Sequence, residues 1–300
     1  MENNIKIASV CGLCAGCTLA INETQKAVSQ NKNVTLFKEI VHNKNVNLML
    51  QSQGVNFCNE LKDLPKNDTI ILRAHGEPKS TISHLQENGY DFIDCTCINV
   101  KNIHRAVEAH SKAGETVIII GKYGKHSGVM HPEILGTVGW CETDPVLIED
   151  EADISKLENF SNTKFYLVCQ TTFNIEKADK LIDKISALLK ANNCDIEINK
   201  SICLAQKQIN LSSQKLAKEC DLMIVVGGKN SSNTTELYNG LKTITKSIFI
   251  EDINTFETEL ESNGITLSKD IKIGLTAGAS TMKSVLVALK ALLLNKFKEL

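Results

Sequence analysis

Three cysteines, Cys14, Cys97 and Cys203, stand where short apolar runs give way to a turn or a helix start. Those runs are Ile5–Val10, Asp91–Asp94 and Asp195–Asn199. They are spread about a third of the chain apart, so no hairpin or local finger can gather them. Thiolates brought from three strand ends by tertiary structure suit a metal centre, and they read as ligands of an iron–sulfur cluster with one iron left open. Cys11, Cys14 and Cys17 also form a C-x2-C-x2-C run, but the fourth cysteine of a ferredoxin motif does not follow. A fourth thiolate from Cys11, Cys17 or Cys95, closing the cluster, stays open as an alternative. So does a zinc site built with histidines, although no local pair has zinc-finger spacing. Cys58, Cys141, Cys169, Cys194 and Cys220 read as small buried hydrophobes or incidental thiols.

The residues just after the other apolar runs are unusually polar. They are His42-Asn43, Ala74-His75-Gly76, His131-Pro132-Glu133, Gln170-Thr171-Thr172, Lys229 to Asn233, and Thr276 to Ser280. Imidazoles, hydroxyls, amides and glycine-exposed backbone N–H groups are the donors an anion such as a diphosphate requires. Ser231-Ser232-Asn233 and Ala279-Ser280 fall at expected helix starts, where each alone would read as an N-cap or turn. Six such strand ends together point to a ligand. Glu133, beside His131 in a donor-lined cavity, would have its carboxyl raised enough to deliver a proton, and Thr171 or Thr172 could orient a hydroxyl. His84, His104 and His110 fall in helical patterns and read as surface residues.

These residues need a scaffold. Apolar strands at Thr69–Arg73, Thr116–Ile120, Phe165–Val168, Leu222–Val226 and Ile271–Leu275 alternate with amphipathic helices. One helix carries the stripe Ile175, Ala178, Leu181, Ile182, Ile185, Leu188 and Leu189, and the C-terminal helix opens at Ser280 or Thr281. Continuous apolar strands between helices predict an α/β protein with mostly parallel sheets covered on both faces. Three lobes around one centre use the three cysteines alike: 15–97, 98–200 and 201–300, with the N-terminal strand 1–14 joining the last.

The 300 residues, 42% of them hydrophobic, are enough for a sizeable core. Thirty-three Lys and Arg against thirty-five Asp and Glu give a net charge of -2, which carries no nucleic-acid footprint. No apolar run is long enough to span a bilayer, and a cytoplasmic chain is expected. Its eleven cysteines would there stay reduced.

Read in order, Gly12-Leu13-Cys14-Ala15-Gly16, Val41-His42-Asn43, Ala74-His75-Gly76, Asp94 to Cys97, His131-Pro132-Glu133 with Gly136-Thr137, Gln170-Thr171-Thr172, Ser231-Ser232-Asn233 and Thr276 to Ser280 resemble the 4-hydroxy-3-methylbut-2-enyl diphosphate reductases, the IspH/LytB family. The resemblance covers nearly the whole chain. It implies a three-lobed α/β fold around one [4Fe-4S] cluster per chain, held by Cys14, Cys97 and Cys203 with no protein ligand on the fourth iron. It implies reductive removal of an allylic hydroxyl, giving isopentenyl and dimethylallyl diphosphate in the last step of the non-mevalonate pathway. It further implies that His42, His75, His131, Ser231, Ser232, Asn233 and Ser280 hold the diphosphate, that Glu133 supplies protons with Thr171 helping, and that reduced ferredoxin or flavodoxin delivers electrons.

Several positions depart from the family pattern. Ala205 is followed by Gln206-Lys207-Gln208 where the family usually has Thr and an Arg-Gln pair, Ile98 replaces a proline, Cys11 an arginine, and the loop Lys122–Met130 is longer. A divergent cluster reductase or dehydratase of another small substrate, or a redox-sensing cluster protein, are the alternatives these positions leave.

Overall fold

The computed structural model describes residues 4–41, 43–229, 231–268 and 270–299. Their strands form three four-stranded sheets in which every neighbouring pair is parallel. One sheet contains β1 (Ile5–Ile7), β10 (Leu222–Val226), β11 (Lys246–Ile250) and β12 (Ile273–Ala277), in the order β1-β12-β10-β11. A second contains β2 (Val34–Phe37), β3 (Asn56–Cys58), β4 (Thr69–Leu72) and β5 (Phe92–Asp94), in the order β3-β2-β4-β5. The third contains β6 (Thr116–Ile120), β7 (Val146–Ile148), β8 (Lys164–Cys169) and β9 (Asp195–Asn199), in the order β7-β6-β8-β9.

All three share one topology. With strands counted along the chain within a sheet, each reads second, first, third, fourth, and the N-terminal β1 serves as the fourth strand of the sheet that β10 begins. The order reverses between the first and third strands, so each sheet has a switch point there, the place where ligands meet open parallel sheets. The chain divides into two compact units. One holds the first sheet, with residues up to Ile21, Glu39–Val55 and the chain from Leu204 on; the other holds Asn22–Lys38 and Asn56–Cys203, with the remaining two sheets.

Burial on both faces explains the unbroken apolar strands. In β10, Leu222, Ile224 and Val226 pack against Leu286, Leu289, Leu293 and Phe297 of α10 (Lys283–Glu299). Met223 and Val225, pointing the opposite way, meet Ile209 and Leu216 of α7 (Leu204–Ala217) and Leu237 and Leu241 of α8 (Ser232–Lys242). In the third sheet, Ile118, Ile120, Phe165 and Leu167 face Ala178, Leu181, Ile182, Ile185 and Leu189 of α6 (Ile175–Ala191), most of the helical stripe expected there. Val117, Ile119 and Val168 face Ile103 and Val107 of α4 (Ile98–Lys112) on the other side.

Several boundaries differ from expectation: β4 stops at Leu72, before Arg73, and β8 extends to Lys164 and Cys169. β12 begins two residues after Ile271, and α10 begins at Lys283, so Ser280 and Thr281 belong to the turn before it. Among the described residues no helix is long and apolar enough to cross a membrane.

Candidate active site

Each of the three cysteines follows the fourth strand of its sheet and opens a helix. Cys97 is the N-cap of α4, Cys203 directly precedes α7, and Cys14 precedes α1 (Ala15–Ser29). Each is pinned the same way. The N–H of Cys97 donates to the carbonyl of Ala74 (3.0 Å), that of Cys203 to Thr171 (2.8 Å) and that of Cys14 to Ala279 (3.0 Å). Ala74, Thr171 and Ala279 all lie two residues beyond the end of their sheet's third strand. The cysteines are therefore equivalent positions of a thrice-used unit, set at helix starts where N–H groups favour a thiolate.

In the unit that holds it, Cys14 accepts a hydrogen bond from the Cys17 thiol. Together with the backbone N–H groups of Cys17 and Gly16, that bond outweighs burial and brings the Cys14 thiol down to about 6. Cys11, half-buried, donates to the Ala8 carbonyl at 3.2 Å, and burial raises its thiol. Burial pushes Cys95 up to about 12, with the Asp94 charge acting in the same direction, and pushes Cys141 and Cys169 to about 12 as well; these are packing residues. Among the described residues no three His, Cys, Asp or Glu side chains converge on one point as a single metal ion demands. A four-iron cluster, with thiolates on different irons, makes no such demand.

Asp94 prepares the turn that presents Cys97. Its carboxylate accepts from Thr96 N (2.9 Å) and Thr96 Oγ1 and pairs with Lys101 (2.8 Å). Burial would raise the Asp94 carboxyl, but the bonds from Lys101 and Thr96 carry it below its usual range.

Glu133 is the second residue of α5 (Pro132–Val138) and only 2% exposed. Its Oε1 accepts from the Thr171 N–H (2.6 Å) and its Oε2 from the Thr171 hydroxyl (2.7 Å). This pair spans the switch point of the third sheet, since β6 leads to Glu133 and β8 ends two residues before Thr171. Burial dominates and lifts the Glu133 carboxyl to about 7 against those two bonds. Gln170 ties the same two loops together, accepting from Lys122 N (2.9 Å) and donating to Thr172 Oγ1 (2.9 Å).

His131 is the N-cap of α5, and its Nδ1 accepts from the Glu133 N–H at 3.2 Å, which leaves Nε2 to carry the ring proton as a donor. Its ring meets His75 edge-on, with centroids 5.7 Å apart. The loop bearing His75 is braced underneath. Arg73 Nε pairs with the buried Glu77 carboxylate at 2.6 Å, Lys38 pairs with it at 3.3 Å, and Trp140 Nε1 donates to the Glu77 carbonyl at 3.0 Å.

The brace includes a residue that sequence reasoning misplaced. His104 is not on the surface: it is 3% exposed, stacked on Trp140 with centroids 5.2 Å apart, and burial lowers its pKa to about 4. The signal was available, because His104 falls on the stripe Val100, Ile103, His104, Val107, Ser111 that α4 buries. His110 is half-buried too, stacked on Tyr166. Gly76 has φ +81°, and a Cβ there would come within 2.5 Å of His104 Cε1. Gly76→Ala should therefore lower stability by about 2–4 kcal/mol, read as the denaturant midpoint at constant m-value. An unchanged midpoint would show that the loop has room this packing denies.

The other unit carries a second set of donors. His42 lies outside the described residues. Asn43 caps α2 (Lys44–Ser52), accepting from Asn45 N (3.1 Å) and Val46 N (3.3 Å), while its Nδ2 donates to Thr281 Oγ1 (3.3 Å). Ser231 is the N-cap of α8 and accepts from Thr234 N and Thr234 Oγ1, so the turn reading holds for it. The side chain of Ser232 is not among those described. Asn233, half-buried, accepts at its carbonyl from Gln206 Nε2 at 3.5 Å. Ser280 caps nothing: its Oγ is buried without a hydrogen-bond partner among the described residues. A buried hydroxyl without such a partner carries a desolvation cost.

The family model described as LytB protein matches residues 5–293. A Clostridioides difficile protein named 4-hydroxy-3-methylbut-2-enyl diphosphate reductase is 35% identical over 280 residues, 93% of this chain and 94% of its own length. Its namesake from Clostridium perfringens is 34% identical over 287 residues, covering 94% and 95% of the two chains. A solved structure of (E)-4-hydroxy-3-methyl-but-2-enyl diphosphate reductase, described as the terminal enzyme of the non-mevalonate pathway, aligns with TM-score 0.74 at 29% identity over 97% of this chain and 99% of that one. The Plasmodium falciparum reductase structure aligns with TM-score 0.80 at 26% identity, covering 96% and 87%.

Proposed function

This chain belongs to the LytB protein family, and on that premise we propose that it reduces 4-hydroxy-3-methylbut-2-enyl diphosphate to isopentenyl and dimethylallyl diphosphate, the last step of the non-mevalonate pathway. The observation that carries this reading is the Glu133–Thr171 pair, a buried carboxyl lifted to about 7 at a sheet switch point, in a chain whose three sheets each hold one cysteine in the same way. Cys14, Cys97 and Cys203 hold a [4Fe-4S] cluster. The donor set suits it: three separately anchored thiols at helix starts, one of them drawn toward thiolate. When bound, the cluster supplies electrons and a Lewis-acidic iron at the position no cysteine fills.

The protein's own groups manage charge and protons. Loss of an allylic hydroxyl as water consumes two electrons and two protons. Near neutral pH the Glu133 carboxyl is poised to hold one of them. The Thr171 hydroxyl donates to ionised Glu133; toward protonated Glu133 it can turn and accept, freeing its own hydrogen to point at the leaving oxygen. His42, His75, His131, Ser231, Ser232, Asn233 and Ser280 bind the diphosphate, with imidazole, hydroxyl and amide donors in place of a lysine cluster. The three lobes follow 15–97, 98–200 and 201–300 with 1–14. A reduced ferredoxin or flavodoxin delivers electrons one at a time, and the chain works in the cytoplasm.

Ser280 tests the diphosphate assignment. Ser280→Ala removes a buried hydroxyl that has no partner among the described residues, so the substrate-free protein should be as stable as wild type or more so by about 1 kcal/mol. The same change should raise KM for the diphosphate substrate about tenfold, the equivalent of one lost hydrogen bond. A raised thermal midpoint with unchanged KM would remove Ser280 from the binding set.

A further inference from the structure

We propose that Asn99 is a positioning residue that sets the reduction potential of the cluster by donating a hydrogen bond to the Sγ of Cys203. This assignment rests on the cysteine ligation proposed above. Asn99 is the second residue of α4, the helix that Cys97 caps, and its Nδ2 lies 3.4 Å from Cys203 Sγ. One helix start thus supplies one thiol and reaches across 104 residues of chain to a second.

The contact is built rather than incidental. The backbone of Cys203 is already fixed, its N–H donating to the Thr171 carbonyl at 2.8 Å, and Ser201 locks the preceding turn by accepting from Cys169 N at 2.9 Å. The start of α4 is fixed as well, by the Cys97 N–H on Ala74 and by the Asp94 network on Thr96 and Lys101. Two rigid anchors therefore hold donor and acceptor together. An asparagine at an exposed helix start is free to point its amide at water, and here the amide meets sulfur.

The physical consequence has a definite sign. Reduction adds one negative charge to the cluster and its thiolates, and part of it resides on sulfur. A neutral N–H donor stabilises that added charge more than the oxidised state, so the bond raises the potential. Asn99 also bears on the proton side, because the Cys203 it orients is bonded to Thr171, which holds Glu133. It acts through the Cys203 sulfur.

The experiment is a redox titration of the full chain after anaerobic cluster reconstitution, with the paramagnetic reduced cluster and the iron content per chain as readouts. Asn99→Leu keeps the bulk and removes the donor. Its midpoint potential should fall by about 59 mV, a tenfold change in the one-electron equilibrium, with iron content unchanged. Asn99→Asp turns an acceptor toward the sulfur and should lower the potential further. Wild-type potential in both variants, with full clusters, would overturn the role of Asn99 and leave the ligation intact. If wild-type protein itself assembles no four-iron cluster, the ligation reading fails, and this inference with it.

Discussion

Glu133→Gln should leave the fold and the cluster in place and lower turnover by about 10²–10⁴-fold, the usual contribution of a positioned general acid. The glutamine can present its carbonyl to the Thr171 N–H and its amide to the Thr171 hydroxyl, so both bonds that locate the side chain survive. What disappears is a proton that can be given up. Wild-type turnover should decline as pH rises through about 7, because only the protonated carboxyl donates. Stability should move in the same direction. The folded-state pKa of Glu133 is raised above its unfolded value, so the folded protein binds the proton more tightly. Stability contributed by the protonated carboxyl is complete below about 4.5 and is lost as pH rises through about 7, on the order of 3 kcal/mol in all. Glu133→Gln lacks that dependence, and its thermal midpoint should gain on wild type between pH 5 and pH 8. Full activity in the glutamine variant would take the acid role away from Glu133.

Cys14→Ser, Cys97→Ser and Cys203→Ser should each lose most of the bound iron and the visible absorption of the cluster, and with them all turnover. The folds should persist, because the bond that pins each position runs through its backbone N–H. Cys58→Ser, at the end of β3, is the matched control and should keep a full complement of iron. The expectation is symmetric because the three sites are structurally equivalent. Each lies after a fourth strand, before a helix, and bonded two residues beyond a third strand. Wild-type iron in all three variants would defeat the ligation scheme.

Much of this arrangement was legible from residue types because both faces of each sheet are covered. That burial makes strands such as Leu222–Val226 and Thr116–Ile120 unbroken apolar runs, and the polar residues at their ends then stand out. Strand order within a sheet was not legible. The sequence places the N-terminal strand with the last lobe, but that it pairs with β12 rather than with β10 or β11 is something nothing local encodes. The C-terminal helix was read too early because Ser280 and Thr281 look like caps, whereas the turn before Lys283 uses Thr281 to bond the Val226 carbonyl. His104 was misread because its polarity outweighed its place on an apolar stripe; stacking on Trp140 supplies the compensation that makes burial of a neutral ring affordable. The bond from Asn99 to Cys203 lies beyond any periodicity, since it depends on two loop conformations set separately.

Anaerobic turnover of 4-hydroxy-3-methylbut-2-enyl diphosphate by the cluster-reconstituted protein, with a reduced low-potential dye as the electron source, tests the proposed reduction most directly. Isopentenyl and dimethylallyl diphosphate are the expected products. No product from protein carrying an intact four-iron cluster would contradict that reduction, and would mean that the fold serves a different substrate.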